Sequence, residues 1–461
     1  MTLPFSLRSI AAALPGLLVM AACGDPAAYV CSRDDQCIDN GIAGTCRAGV
    51  CSYTSETCGA LGATCCATGT ACTSGSCIDG SCQSCILDVA FGRRFGCVLK
   101  IDGTIWCAGE NEWGQLGSGS AGPDRPTHEP VKTLVDNTVI DDAVQLGLGR
   151  NHGCAIRSDA SVWCWGANVV GQLGNGTTSM SQPAAVQVLV GGTPLLGATE
   201  IRSGNAHSCA ITSASDVYCW GQNAVGQLGD GLVADRNQAA LVLASPMGAA
   251  FTGARSLAIG SDTNCVHRGI DEIWCWGDND HGQFRDGLLN THPNPVLVGN
   301  APAFGLGHGH ICMVRESAIE CTGATSHGCI ANGERGFGDN ALTPTVMKDA
   351  TGGDFAGVAS LAFAGGGGGC AMMDDSSVQC WGDSLYGQAG PSPGSPFPTA
   401  IMAADGKPLV GVDRLVAAYP HVCAHTPAGD WLCWGRNSEG DFGDGSFSNR
   451  RIPAPLDVSC P

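Results

Sequence analysis

Four histidines recur at one position of a repeated pattern, two residues before a cysteine: His152, His207, His310 and His421. Because imidazole nitrogens are common metal ligands, such a series first suggests a metal site. Residues on separate repeat units, however, would generally lie too far apart to share one ion at the roughly 2.0–2.1 Å that zinc requires. We therefore expect histidines that hydrogen-bond main-chain groups within the repeat, and no metal.

Acidic turns are a second candidate chemistry, at Asp230, Asp286, Asp339 and Asp444. None has the alternating oxygen-ligand spacing of a calcium loop, so we interpret them as solvated turn residues. The chain also lacks a G-x-S-x-G elbow, a phosphate-binding loop and an H-E-x-x-H zinc motif. We expect a protein that is not an enzyme and that uses no cofactor.

Aromatic side chains could stack on sugars, and the chain has ten tryptophans. Most of them occupy repeat positions and are expected to pack within the fold: Trp106, Trp163, Trp165, Trp220, Trp274, Trp276, Trp381 and Trp434. Trp113 and Trp431 lie off the pattern, and for these two we also favour a structural role.

The elements that position these residues are marked by seven pairs of cysteines. The pairs are Cys97 with Cys107, Cys154 with Cys164, Cys209 with Cys219, Cys265 with Cys275, Cys312 with Cys321, Cys370 with Cys380, and Cys423 with Cys433. Six pairs are ten residues apart and one is nine apart. In the second unit, residues 154–157 and 162–165 are typical of two strands around a turn, which places the cysteines opposite each other within disulfide reach. An even spacing implies a three-residue loop or a bulge.

Two glycines follow each second cysteine, at the second and seventh residue after it, in all seven units. Such positions usually require positive φ or a close backbone approach. Together with Cys164-Trp165-Gly166 and Gly171-Gln172-Leu173-Gly174, this repeat resembles the regulator of chromosome condensation family over residues 86–461. The resemblance implies an all-β, seven-bladed β-propeller, and the signature dipeptides of kelch-type and WD-type propellers are absent. Unit five departs with Thr322 and Cys329, and unit seven has Asp441 where its siblings have glutamine.

The N-terminus predicts export. The apolar run 10–22 is too short to span a membrane and fits a signal peptide of residues 1–22. Met20-Ala21-Ala22-Cys23 resembles a bacterial lipobox, which implies lipidation at Cys23, with ordinary secretion as the alternative. We expect a tether over 23–30, disulfide-rich modules over 31–84, and the propeller over 85–461. The connectivity within the modules stays open.

Cysteine parity suggests how the ring closes. Of the 28 cysteines, Cys23, the ten in the modules and the fourteen in the blade pairs leave Cys85, Cys329 and Cys460. We predict a Cys85–Cys460 disulfide across the closure, between strand residues 85–90 and 456–460, and a free thiol at Cys329.

The formal charge of −19 argues against nucleic acid as a partner. We predict a lipid-anchored, extracytoplasmic protein at the outer membrane or cell surface, a monomer that touches the membrane only through its anchor. Its function is predicted to be a non-catalytic binding scaffold for a protein or glycan, through loops in the variable stretches 118–143, 177–197, 232–255, 288–303, 339–356 and 390–412. The alternatives are an inhibitor of an extracellular enzyme and a carbohydrate-binding module, with nucleotide exchange on a small GTPase implied by the family and opposed by export.

Overall fold

The computed structural model describes residues 85–458, apart from 316–317, 334–339, 365–366, 391–393, 419 and 457, together with the main chain of six short strands before residue 85. The chain divides into two units between residues 83 and 84. The early strands form three antiparallel pairs: Ile38–Asp39 with Ile42–Ala43, Thr45–Arg47 with Val50–Ser52, and Gly75–Ile78 with Ser81–Ser84. The predicted signal peptide, Cys23 and the disulfides of the modules lie outside the described residues. No helix within the described part is long and apolar enough to cross a membrane.

Seven four-stranded antiparallel sheets follow, each built from strands that pair in chain order. The first strands are Ile86–Phe91, Ala143–Leu148, Ala198–Ser203, Ala254–Ile259, Ala303–Leu306, Val358–Ala364 and Arg414–Ala418. The second strands are Phe95–Lys100, His152–Arg157, His207–Thr212, Thr263–Arg268, His310–Val314, Gly368–Met373 and His421–His425. The third strands are Ile105–Gly109, Val162–Asn168, Val217–Gly221, Glu272–Gly277, Ile319–Ala324, Val378–Gly382 and Trp431–Gly435. The fourth strands are Arg125–Pro130, Ser179–Gln187, Arg236–Leu241, His292–Asn300, Asn340–Val346, Ser395–Ala400 and Arg450–Pro455.

The first strands line the axis of a ring. Each contacts the first strand of the next sheet, and that of the seventh contacts that of the first. The ring is therefore the predicted all-β, seven-bladed propeller, and we call the first strands inner and the fourth strands outer. Two minor elements lie outside the seven sheets: a strand pair, Leu189–Val190 with Thr193–Pro194, and a 3-10 turn at Ser326–Gly328.

A disulfide joins the second and third strands of every blade, at the seven cysteine pairs named above. In blade order, Cys97 bonds to Cys107, Cys154 to Cys164, Cys209 to Cys219, Cys265 to Cys275, Cys312 to Cys321, Cys370 to Cys380, and Cys423 to Cys433. Their Cα atoms are 4.0–4.1 Å apart because the two cysteines of each pair are direct cross-strand partners.

The spacing of each pair sets the loop between its strands. In blade 2 the Arg157 N–H donates to the Ser161 carbonyl at 3.0 Å, which leaves a three-residue loop that ends in Ala160 at φ 62°. In blade 5, where the spacing is nine, the Arg315 N–H donates to the Ala318 carbonyl at 2.8 Å and the loop has two residues. The spacing therefore predicted the loop length correctly.

Both repeated glycines have positive φ in every blade. At Gly221 φ is 101°, and a Cβ atom there would lie 2.4 Å from the carbonyl oxygen of Ala206. The position excludes other residues on two grounds, the left-handed backbone and the close approach of the preceding turn.

The hydrophobic core is divided into seven clusters, one at each junction between neighbouring blades. At five junctions the disulfide of one blade packs in the same cluster as the Cys-Trp-Gly tryptophan of the next, as Cys154–Cys164 does with Trp220. These five tryptophans are fully buried: Trp165, Trp220, Trp276, Trp381 and Trp434. The repeat aromatics hold blades to each other.

One prediction about the later part of each repeat is wrong, and one about residues 456–460 is tested only in part. The six variable stretches, predicted as loops, each contain an outer strand. Their prolines, such as Pro126 and Pro396, obscured the strands, but an outer strand has one unpaired edge and tolerates residues without an N–H donor. The last described strand is Arg450–Pro455. Leu456 and Val458 lie beyond it and are not in a strand, and the other residues of the predicted strand 456–460 lie outside the described part of the chain.

Candidate binding site

The four repeat histidines are buried, and two of them hydrogen-bond side chains of the next blade. His152 Nε2 lies 2.8 Å from Ser208 Oγ, and His207 Nε2 lies 2.8 Å from Asn264 Oδ1. Their partners occupy one repeat position, the residue before the first cysteine. The prediction that these histidines bind main-chain groups is therefore wrong in its partner, because the imidazoles of His152 and His207 reach across the junction to polar side chains of the next blade.

The other two histidines meet glycines at that partner position, Gly369 and Gly96, and have different contacts. His421 Nε2 lies 2.9 Å from Asp441 Oδ2 of its own blade, and both side chains are fully buried. His310 packs edge-on against Phe363 of the next blade, and its Nε2 has no hydrogen-bond partner. Within the described residues no group of three or more His, Cys, Asp or Glu could hold a metal ion.

Burial keeps the imidazoles of His152 and His310 neutral. Desolvation lowers the pKa of His152 to about 3 and that of His310 to about 4. The unfolded chain takes up protons on these histidines near pH 6.5, and the folded chain does not. The contribution of these neutral imidazoles to the free energy of unfolding is therefore present at neutral pH and is lost as pH falls from about 6.5 towards 4.

A His310→Leu variant should therefore be less acid-sensitive than the parent. Between pH 7 and pH 4 its free energy of unfolding should fall by about 3 kcal/mol less, because one buried group no longer titrates. Denaturant melts at both pH values measure the free energy of unfolding. The control variant is His308→Asn, which replaces an exposed histidine. Equal acid sensitivity of the parent and His310→Leu would contradict the conclusion that burial lowers the pKa of His310.

Each Cys-Trp-Gly tryptophan donates from its indole to the previous blade. Trp220 Nε1 donates to the Gln172 carbonyl oxygen at 3.0 Å, and Trp165 donates to that of Gln115 at 2.9 Å. In blade 5, which lacks the tryptophan, Thr322 Oγ1 donates to the Gln283 carbonyl at 3.0 Å. The repeat glutamine also accepts, through its side chain, the N–H two residues before it, as Gln172 does from Val170 at 3.0 Å. These polar residues are used in assembling the ring.

Cys329 replaces a repeat glutamine and is a free, buried thiol, as predicted. Its carbonyl oxygen accepts the Trp381 indole at 2.8 Å, so the main-chain part of the repeat contact survives. Its Sγ donates to the Ala324 carbonyl at 2.9 Å. Desolvation raises the pKa of this thiol to about 12.

Iodoacetamide at pH 8 should therefore leave Cys329 unmodified in the folded protein, since thiolate and access are both required. Unfolding in guanidinium without reductant should make the same thiol fully reactive. Peptide mapping after each treatment provides the measurement, and equal labelling of folded and unfolded chains would contradict the buried placement.

The acidic turns that the structure describes are intramolecular caps. Asp230 Oδ1 accepts the Leu232 N–H at 3.1 Å, and its Oδ2 pairs with Arg236 at 2.8 Å. Asp444 repeats this arrangement with Ser446 and Arg450. Asp339 lies outside the described residues.

Of the two off-pattern tryptophans, Trp431 is 2% exposed and belongs to the cluster between blades 7 and 1. Trp113 is half-buried, and its main-chain N–H donates to Gln115 Oε1 at 2.9 Å.

The ring closes through the same cluster. Ile86, Val89 and Phe91 of blade 1 pack with Leu456 and Val458 from the end of the chain. Cys85 is disulfide-bonded, and its Sγ lies 3.7 Å from the Val458 carbonyl oxygen. Cys460 lies outside the described residues, so its pairing with Cys85 stays a prediction.

A cavity of about 720 Å³ lies on the axis, lined by all seven inner strands and the residues that follow them. Side-chain contacts bridge neighbouring inner strands around this cavity. Gln145 accepts the Ile201 N–H at 2.8 Å, Glu200 accepts the Leu257 N–H at 3.0 Å, and Asp88 pairs with Arg414 at 3.0 Å. Residues with small or no side chains also belong to the lining: Ala90, Gly147, Ala258, Gly305 and Ala362.

The charge of this lining is opposite to that of the whole chain. The charged residues are Arg93, Arg150, Arg202 and Arg414 against one carboxylate, Asp88, with His308 beside them. Arg93 and Arg150 are neighbours at the rim, where the Arg93 N–H donates to the Arg150 carbonyl at 3.3 Å. The cavity is therefore suited to an anionic group.

This site was not predicted from the sequence. Gly92-Arg93 and Gly149-Arg150 occupy equivalent repeat positions just after an inner strand, and that coincidence was the available signal. The convergence with Arg202 and Arg414 depends on the ring and has no signature along the chain.

Two repeat models match this chain, both described as the regulator of chromosome condensation (RCC1) repeat. One matches residues 86–115, 143–172 and 198–227, and the other matches 102–156 and 159–211. The chain carries RCC1 repeats. Each short match runs from an inner strand to the repeat glutamine, so the RCC1 motif contains the inner three strands of a blade and the turn that caps them.

Relatives and solved structures agree with this assignment. The chain is 26% identical to the ultraviolet-B receptor UVR8 of Arabidopsis thaliana, over 78% of this chain and 79% of that one. It is 30% identical to the E3 ubiquitin-protein ligase HERC2 of Mus musculus over 46% of this chain, and this match spans 4% of HERC2. Yeast RCC1 (Prp20), solved with Kap60 bound, superposes with a TM-score of 0.61 at 18% identity over 77% of this chain and 84% of that one. Human WBSCR16 gives the same TM-score and identity over 80% and 94%.

Proposed function

We propose that this protein is a non-catalytic binding scaffold of the cell envelope, anchored through a lipidated Cys23, whose propeller binds a protein partner. The observation that carries the proposal is the axial cavity of about 720 Å³, which lies within the size range of ligand sites and is lined by seven strands on disulfide-bonded blades. A rigid frame of this kind presents a preformed surface, which lowers the entropic cost of binding.

The contacts of the repeat residues support a binding role over catalysis, because these residues are engaged within the fold. The conspicuous polar residues, His152, Gln172 and Trp220 among them, bind the chain itself. Propellers of similar fold bind proteins: yeast RCC1 has been solved bound to Kap60, and Prp20p has been studied for binding to Gsp1p and histones. For this chain we propose only protein binding by the ring, since the charge of −19 opposes a nucleic-acid complex.

Lipidation is tested in a bacterial host that expresses the full chain. Radiolabelled palmitate should be incorporated into the parent protein and not into a Cys23→Ser variant, and the variant should leave the membrane fraction. Label on the Cys23→Ser protein, or equal fractionation of both, would contradict the anchor.

Partner binding is tested by site-specific photo-cross-linking in intact cells. A photoreactive residue replaces His308, which is exposed and lines the cavity, or Arg451, which is exposed on the outer strand of blade 7. We expect a discrete protein cross-link from position 308, suppressed by excess unlabelled chain, and none from position 451. Equal cross-linking from both positions, or adducts to saccharide alone, would overturn the proposal.

A further inference from the structure

The arginines of the cavity differ in how they are neutralised. Arg414 pairs with Asp88 at 3.0 Å, and Arg202 pairs with Glu200 at 3.0 Å. Arg93 and Arg150 make no ion pair with any described residue, and both are exposed at the rim. Two uncompensated guanidinium groups therefore face solvent at the mouth of a cavity in a protein of net charge −19.

Two further arginines, Arg94 and Arg436, add positive charge near Arg93. Burial, followed by repulsion from Arg150, Arg94 and Arg436, lowers the pKa of Arg93. Arg94 and Arg436 have their own carboxylate partners, Glu110 and Glu439. An incoming anion would relieve the repulsion between Arg93 and Arg150 without displacing an existing ion pair.

The interior of the cavity suits a polypeptide. Each inner strand is the last strand of its sheet, so the main-chain groups on its axial side are not paired with another strand. The lining of the cavity also contains residues with small side chains, among them Ala90, Ala258 and Ala362. Side chains of neighbouring inner strands take up some of these groups, such as the Ile201 and Leu257 N–H groups, and the remaining main-chain donors and acceptors are of the kind that a bound peptide segment matches.

We propose that the cavity binds an acidic segment of the partner protein, with side-chain carboxylates held between Arg93 and Arg150 and the peptide backbone against the inner strands. Guanidinium groups bind carboxylates through charge-assisted, bidentate hydrogen bonds, so one acidic side chain engages either arginine. This inference rests on the proposed function and names the chemistry of the partner.

The probe is a fluorescein-labelled hexaglutamate peptide, titrated by anisotropy into the oxidised full-length chain. The test variant is Arg93→Glu/Arg150→Glu. The matched control is Arg255→Glu/Arg451→Glu, which changes the net charge equally at exposed arginines outside the cavity lining. Melting curves and near-UV circular dichroism establish that both variants keep the fold.

We expect the test variant to weaken peptide binding roughly tenfold or more and the control to change it less than about twofold. Affinity should fall as salt rises, because the contacts are charged. Inorganic phosphate and a sulfated oligosaccharide at equal charge concentration should compete poorly, since they cannot match the strand edges. Failure of the peptide to bind, equal loss in both variants, or stronger binding of phosphate or the oligosaccharide would each overturn the inference.

Cross-linking in cells separates this inference from the proposed function. A partner cross-link from position 308 that survives Arg93→Glu/Arg150→Glu would refute the acidic segment and leave the scaffold function in place. Absence of any partner cross-link in the parent protein would refute the scaffold function itself.

Discussion

Replacing Trp220 by alanine should lower the free energy of unfolding by about 3–5 kcal/mol, the range for removing a large buried aromatic side chain. Trp220 is fully buried between blades 2 and 3, where it packs with the Cys154–Cys164 disulfide. Its indole also donates to the Gln172 carbonyl, so the substitution leaves that acceptor unpaired inside the junction.

Two further variants separate packing from hydrogen bonding. Trp220→Phe keeps most of the ring and loses the donor, so it should cost about 1–3 kcal/mol. Trp163→Ala removes a half-buried tryptophan whose indole binds Ser161 of its own blade and should cost less than Trp220→Ala. Guanidinium melts followed by intrinsic fluorescence and circular dichroism provide the ranking. A Trp220→Ala variant no less stable than Trp163→Ala would contradict the role of the indole between blades.

Removing one blade disulfide should also have a large effect. In the chain-entropy model, a loop of about eleven residues contributes roughly 2.5–3 kcal/mol, so Cys209→Ala/Cys219→Ala should lose about that amount. Cys209 and Cys219 are cross-strand partners in the cluster between blades 3 and 4, so the loss also leaves unfilled space there.

Full reduction of the protein tests the same principle across the ring. Dithiothreitol should lower the melting temperature by far more than the single-blade variant does, because each blade loses its own cross-link. Neighbouring blades share clusters, so the effects are not expected to add simply. The control is the parent protein with iodoacetamide alone, which should melt as the untreated protein does. An unchanged melting temperature after complete reduction, verified by thiol titration, would show that the disulfides do not support the ring.

The unusual features of blade 5 show how the repeat tolerates exceptions. Thr322 stands in for tryptophan and Cys329 for glutamine, yet the main-chain carbonyl at the glutamine position still accepts a hydrogen bond across each junction. At the two junctions of blade 5, a side-chain donor therefore still faces that carbonyl. The side-chain volume is supplied by other residues, among them Phe284 in the cluster between blades 4 and 5.

The amino-acid sequence by itself determined the local features of each blade. Cysteines ten residues apart specify a three-residue hairpin loop, because strand side chains alternate and partners must face each other. Glycines such as Gly221 mark positive φ because no other residue adopts that backbone at such a close approach. Seven such units along the chain, through their resemblance to RCC1 repeats, were enough to predict the number of blades.

Contacts between blades were decided only by the tertiary structure. His152 binds Ser208 and Trp220 reaches Gln172 because closure brings residues about fifty positions apart into one junction. The outer strands were taken for loops because half-exposed edge strands carry prolines and little hydrophobic alternation. The arginines of the cavity belong to four different blades, 1, 2, 3 and 7, and their meeting on the axis follows from the sevenfold ring alone.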